Sequence, residues 1–143
     1  MRDAPLSDME EALVVTRLSV PSEPSSAAVV RRCITDDLGS SGIPLGLVDD
    51  AVLIATELLS NALRHAQSLA DGDLVVAWEL DAKSLRISVV DGGGPHHPHV
   101  RKVDAHATSG RGLAIVESLA TEWGVEQSGR ATSVWATLDF LTG

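Results

Sequence analysis

Glu57 and Asn61 stand four residues apart in a segment of helical periodicity, a spacing that projects both side chains from one face of a helix. A carboxylate there can take the proton of an attacking hydroxyl or water. A carboxamide oxygen is a hard donor of the kind Mg²⁺ accepts beside phosphates and water. The same pair also fits the solvated side of an amphipathic helix, roughly opposite the apolar stripe. Asp91 closes an apolar run and is followed by Gly92-Gly93-Gly94. A flat base can approach such a backbone closely and donate an exocyclic amino hydrogen to the carboxylate. An ordinary Asp-Gly turn after a strand has the same wording. Gly110-Arg111-Gly112 runs directly into Leu113, so bare N–H groups and a helix N-terminus offer an anion site to which Arg111 adds charge. Glycines before a helix are also plain breakers.

Two further groups invite chemistry and are read without it. His96, His97, His99 and His106 share a loop stiffened by Pro95 and Pro98, yet no cysteine or carboxylate completes a metal shell with them. His65, on the face of Glu57 and Asn61, is read as a packed or hydrogen-bonded histidine beside Arg64 rather than as a phospho-acceptor.

The elements that must position these residues follow from periodicity. The first 12 residues are polar and acidic and are expected to be poorly ordered, with a single domain over residues 13–143. Leu13 to Val20 reads as a strand ended by Pro21. Ser25 to Leu38 reads as a helix with Ala28, Val29, Cys33 and Leu38 at helical spacing. The strongest helix runs from about Leu47 to Ala66, its stripe made by Val52, Ala55, Leu59, Ala62 and Ala66, its other face by Asp50, Glu57, Asn61, Arg64 and His65. Leu74 to Leu80 and Leu85 to Val90 form a hairpin pattern in which Leu85, Ile87 and Val89 share a face. Periodicity stops from Asp91 to Arg111, a length that marks a functional or disordered connection. A helix is expected at Leu113 to Thr121. Two strands, Trp123 to Glu126 and Thr132 to Leu138, turn about Ser128-Gly129-Arg130. Strands that arrive as hairpins, with helices grouped before and between them, imply an α+β two-layer sandwich: a mostly antiparallel mixed sheet covered on one face by helices.

Composition narrows the partners. A chain of 143 residues with 44% hydrophobic content suits one core. A formal net charge of -9 argues against nucleic acid and anionic membranes, which need clustered Lys and Arg. Cys33 is the single cysteine, so no internal disulfide forms. No run approaches the roughly 18 apolar residues of a membrane span, and no leader pattern opens the chain. A cytoplasmic location is therefore expected.

Taken in order, Glu57-Leu-Leu-Ser-Asn61, then Val90-Asp91-Gly92-Gly93-Gly94, then Gly110-Arg111-Gly112-Leu113 resemble the three nucleotide boxes of the family that unites gyrase, the ninety-kilodalton heat-shock chaperone, sensor histidine kinases and mismatch-repair ATPases. The Asn61-Ala62-x-Arg64-His65-Ala66 wording, Trp123-Gly124-Val125 and Val134-Trp135-Ala136 are most similar to the small bacterial anti-sigma-factor serine/threonine kinases. The resemblance implies the Bergerat-type fold, binding of ATP with Mg²⁺, and phosphoryl transfer to Ser or Thr of an anti-sigma-factor antagonist. It further implies binding of a sigma factor, and homodimers are common in the family. By the same resemblance Glu57 is the general base, Asn61 the Mg²⁺ ligand, and Asp91 the adenine anchor with Gly93 along the base. Gly110, Arg111, Gly112 and Leu113 cradle phosphate, Thr132 or Ser133 reaches the adenine side, and the Asp91-to-Arg111 loop is a lid. Pro95 departs from the last glycine of the second box, and Thr108 stands where some members carry Arg. These departures keep open a nucleotide-gated binding module, an anti-sigma factor without kinase activity.

Overall fold

The chain runs through Val14–Pro21 (β1), Ser26–Gly39 (α1), Leu45–His65 (α2), Asp73–Leu80 (β2), Ser84–Asp91 (β3), Arg111–Leu119 (α3), Glu122–Ser128 (β4) and Ala131–Asp139 (β5). The computed structural model describes residues 14–65, 72–92, 111–129 and 131–140. The expected N-terminal tail, the lid and the histidine-rich segment lie outside them. The five strands form one sheet in the order β1-β2-β3-β5-β4. Every described pairing is antiparallel, so the mixed component expected of the sheet is not found among these strands. The reason lies in the connections. β2–β3 and β4–β5 are hairpins, and two helices in succession return the chain from β1 to β2 in the opposite direction.

The period-two pattern becomes rows of apolar side chains. Val76, Val89 and Val134 lie side by side across β2, β3 and β5, as do Trp78, Ile87 and Ala136, then Leu80, Leu85 and Leu138. All nine are buried beneath the helices, and α2 is the central helix, packed on α1, α3 and β3. Burial of such side chains, each worth about 1.5–3 kcal/mol, is the main force holding the layers together.

Two helices differ from their sequence reading. In α1 the inward face is Ser26, Val30, Ile34 and Leu38, a strict four-residue repeat. Of the residues expected there, Leu38 is buried and Cys33 half-buried, whereas Ala28 and Val29 are exposed. α1 crosses the sheet margin and buries one narrow stripe, which Val30 and Ile34 fill. In α2 the buried set of Ala55, Leu59 and Ala62 is joined by Val48, Ala51, Ile54 and Leu58, because this helix has neighbours on two sides as well as the sheet.

Polar contacts set the layers in register. The Asp37 carboxylate accepts hydrogen bonds on Oδ2 from Thr16 Oγ1 at 2.7 Å and from Trp78 Nε1 at 2.8 Å, tying α1 to β1 and β2. Asp81 Oδ1 accepts from the backbone N–H groups of Lys83 and Ser84, both at 2.8 Å, and so fixes the first hairpin turn. Gly129 turns the second with φ +63°, a conformation that favours glycine. The third helix stops at Leu119 rather than Thr121. The Thr121 N–H instead donates to the Thr137 carbonyl at 2.7 Å, and its hydroxyl accepts from the Asp139 N–H at 2.8 Å. Thr121 thus already belongs to the sheet margin.

The opposite face of the sheet carries no described helix. There the Trp135 ring lies over Gly124, its partner in register. The Arg86 guanidinium sits 4.5 Å from the ring centroid and 3.6 Å from Glu126.

Candidate functional site

Three polar side chains are buried among the described residues: Ser26, Asn61 and Asp91. Enclosing a polar group is costly unless it is hydrogen-bonded. Ser26 has a structural explanation, since its hydroxyl donates to the Pro21 carbonyl at 2.6 Å and fastens the start of α1 to the end of β1. The other two are the residues singled out in the sequence as a carboxamide on the central helix and a carboxylate at the end of a strand.

Asn61 corrects one expectation. Its position was read as lying roughly opposite the apolar stripe, with a solvated face as the alternative, but it is only 9% exposed. Glu57, one turn earlier, is half-buried, and Arg64 is exposed. Flanking by α1 and α3 widens the buried arc of α2 until it takes in position 61 next to Ile54 and Leu58. Asn61 is therefore enclosed on the central helix, with Glu57 one turn away at intermediate exposure.

Asp91 is the last residue of β3 and pairs in register with Thr132 of β5. Both lie on the helix-covered face. The Thr132 hydroxyl is buried and has no hydrogen-bond partner, a state that calls for an explanation by an absent ligand or water. Together they present an acceptor-only carboxylate and a hydroxyl able to donate or accept, the chemistry suited to one polar edge of a heteroaromatic ring. Ser133 is separated from this pair. It is the partner of Val90, and strand alternation turns it to the opposite face of the sheet. Gln127 was missed. It pairs with Thr132 from β4 and extends the Asp91–Thr132 row by one strand, which a register drawn back from the Gly129 turn would have found.

The third motif opens α3. Arg111 and Gly112 form its first turn, and Leu113 and Val116 are buried and seat the helix. The helix packs on α2, which carries Glu57 and Asn61. An N-terminal turn held in this way presents its N–H groups at a fixed place. Gly93, Gly110, Pro95 and Thr108 lie outside the described residues, as do the side chains of His65, Arg111 and Gly112. No group of three His, Cys, Asp or Glu converges to hold a metal among the described residues. Asn61, the expected Mg²⁺ ligand, lies within the described residues and is nearly buried. No described helix is long and apolar enough to cross a membrane.

The antiparallel five-stranded sheet under three described helices is the α+β architecture expected from the sequence. The chain belongs to the histidine kinase-like ATPase domain family, whose model matches residues 20–138. Among curated proteins it is similar to the serine-protein kinase RsbW of Bacillus pumilus, 22% identical over 138 residues that cover 87% of this chain and 85% of that protein. Among solved structures it resembles that of the RsbU and RsbW domains of a Mycobacterium tuberculosis protein, with a TM-score of 0.66 and 23% identity. The match covers 87% of this chain but 31% of the solved one. The chain thus spans about a third of that structure's length, and the likeness carries the fold. The resemblance to the anti-sigma-factor kinases, read from Asn61-Ala62-x-Arg64-His65-Ala66, Trp123-Gly124-Val125 and Val134-Trp135-Ala136, is borne out by the family and the curated relative.

Proposed function

We propose that this protein binds ATP with Mg²⁺ and transfers the γ-phosphoryl group to a Ser or Thr of a partner protein, an anti-sigma-factor antagonist, and that it also binds a sigma factor. The observation that carries the reading is the buried Asp91 beside a buried Thr132 hydroxyl without a partner. The enclosed Thr132 hydroxyl is unfavourable by itself and is satisfied by a ligand that brings a hydrogen-bonding ring edge to it, with the Asp91 carboxylate beside it as an acceptor.

In this reading Asp91 accepts from the exocyclic amino group of adenine and Thr132 pairs with the same edge. The first turn of α3 and Arg111 hold phosphate oxygens, with Gly93 and Gly110 at the ends of the intervening loop. Asn61 is the protein's oxygen ligand for Mg²⁺, which neutralises phosphate charge when bound. Glu57, one turn from Asn61, takes the proton of the incoming hydroxyl. Location in the cytoplasm and self-association as a homodimer belong to the same proposal.

Calorimetric titration with a non-hydrolysable ATP analogue, with and without Mg²⁺, tests the pocket. Wild type is expected to bind in a Mg²⁺-dependent manner, and Asp91→Asn to lose binding. A radiolabel transfer assay with candidate partners tests the chemistry. Glu57→Ala should keep analogue binding and lose about 10²–10⁴ in transfer rate. Equal labelling by both proteins would remove Glu57 as the base. Binding without transfer by wild type would make the protein a nucleotide-gated binding module.

A further inference from the structure

Asp91, Thr132 and Gln127 are partners in register on β3, β5 and β4. Their side chains leave the helix-covered face of the sheet in one line, with neighbouring strands about 4.8 Å apart. Glu126, the residue before Gln127, meets Arg86 on the opposite face, and strand alternation turns Gln127 back to the covered one. The line leads outward from the interior. Asp91 is 3% exposed, the Thr132 hydroxyl is enclosed without a partner, and Gln127 is exposed. Its outer end lies toward the start of α3. Two residues join Leu119 to Glu122, and α3 packs on β4, so the strand runs back along the helix. The helix is about 14 Å long and β4 about 17 Å from Glu122 to Gln127, which brings Gln127 level with Arg111.

We propose that Gln127 is a specificity-determining residue of the nucleotide site, reading the purine at position 2 and N3. The proposal rests on the adenine reading above and adds how the ring is turned. Around a 6-aminopurine the positions follow in order: the 6-amino donor, the N1 acceptor, C2, and the N3 acceptor beside the sugar. Along the sheet the order is an acceptor-only carboxylate, a hydroxyl, and a carboxamide that both donates and accepts. With Asp91 on the amino group and Thr132 on N1, Gln127 meets C2 and N3. The sugar then leaves toward the outer end of the line, and the phosphates reach the first turn of α3. The other edge of the ring offers N7 and then only C8–H, which gives the carboxamide nothing to bind. An amino group added at C2 gains the Gln127 carboxamide oxygen as its acceptor.

ADP, 2-aminoADP and 7-deazaADP, none of which has a γ-phosphoryl group to lose, are titrated with Mg²⁺ into wild type, Gln127→Leu and Gln127→Glu by calorimetry. Wild type is expected to bind 2-aminoADP about three- to tenfold more tightly than ADP, the gain of one added hydrogen bond, and 7-deazaADP about as tightly as ADP. Gln127→Leu should lose the gain. Gln127→Glu keeps an acceptor oxygen and should retain it. Gln127 is exposed on an edge strand, so the three proteins should melt within about two degrees of one another. Equal or weaker binding of 2-aminoADP by wild type, or a gain that survives Gln127→Leu, overturns the role of Gln127 and leaves the adenine reading standing. Loss of binding by 7-deazaADP alone also overturns it, because the ring then turns its other edge to Thr132. A wild type that binds none of the three overturns both.

Discussion

At the scale of the residue, Thr132 sets ligand binding against stability. Its hydroxyl is enclosed without a partner, a condition that costs about 1–3 kcal/mol. Thr132→Val keeps the shape and removes the cost. The ligand-free variant is expected to melt a few degrees higher, corresponding to about 1 kcal/mol, and to bind the ATP analogue about tenfold more weakly. Thermal scanning and calorimetry on the same preparation check both signs. A variant that is less stable and binds normally would mean that the hydroxyl serves the fold. Trp135 Nε1 is likewise buried without a partner but lies on the sheet face away from the helices. Trp135→Phe should therefore be neutral or mildly stabilising, with no effect on nucleotide.

At the scale of the element, one contact ties the helical layer to the sheet and another fits β4 against β5. Asp37 holds α1 to the sheet through Thr16 and Trp78. Asp37→Ala leaves both donors unmatched and is expected to cost about 2–4 kcal/mol, read by urea unfolding. The loss should shrink when Trp78→Phe is combined with it, since the cycle removes one abandoned donor. Gly124 is fixed by packing, because a Cβ there would stand 2.8 Å from Cζ2 of Trp135. Gly124→Ala should destabilise by about 1–3 kcal/mol, with recovery when residue 135 is cut to Val.

These elements also show what the chain discloses about itself. Both hairpins and the central helix were legible because strict periods of two and of three to four residues run through Leu74 to Val90 and through Val52 to Ala62. The buried state of Asn61 was not legible, since it depends on α1 and α3 closing in on both sides of α2. Ser133 and Gln127 were misplaced or missed for a different reason. Strand parity is fixed by register, and register becomes visible only when Asp91 is set against Thr132. The Asp37–Trp78 bond spans 41 residues and left no local trace.

At the scale of the whole molecule, the candidate site is assembled from parts distant in the chain: the central helix, the ends of β3 and β5, and the start of α3. A ligand held by all of them stabilises the fold as a unit. ATP analogue with Mg²⁺ at about one hundred times its Kd should add about 2.7 kcal/mol to unfolding. The gain should vanish in Asp91→Asn, and differential scanning with increasing analogue measures it. A shift of equal size in both proteins would indicate binding elsewhere.

The sheet also separates the aromatic side chains by face. The sequence has three tryptophans and no tyrosine, and they meet different surroundings. Trp78 is sealed beneath the helices, 1% exposed, with its indole N–H on a carboxylate. Trp123 is half-buried. Trp135 lies on the far face, stacked under a guanidinium. The intrinsic fluorescence is therefore a sum of near-independent lamps, and single-tryptophan variants turn each into an optical probe of one layer. Acrylamide should quench half-buried Trp135 to a greater degree than Trp78, which resists until the helical layer lifts. The emission of Trp78 then reports the docking of α1, and that of Trp135 reports any event on the opposite face, without an added dye.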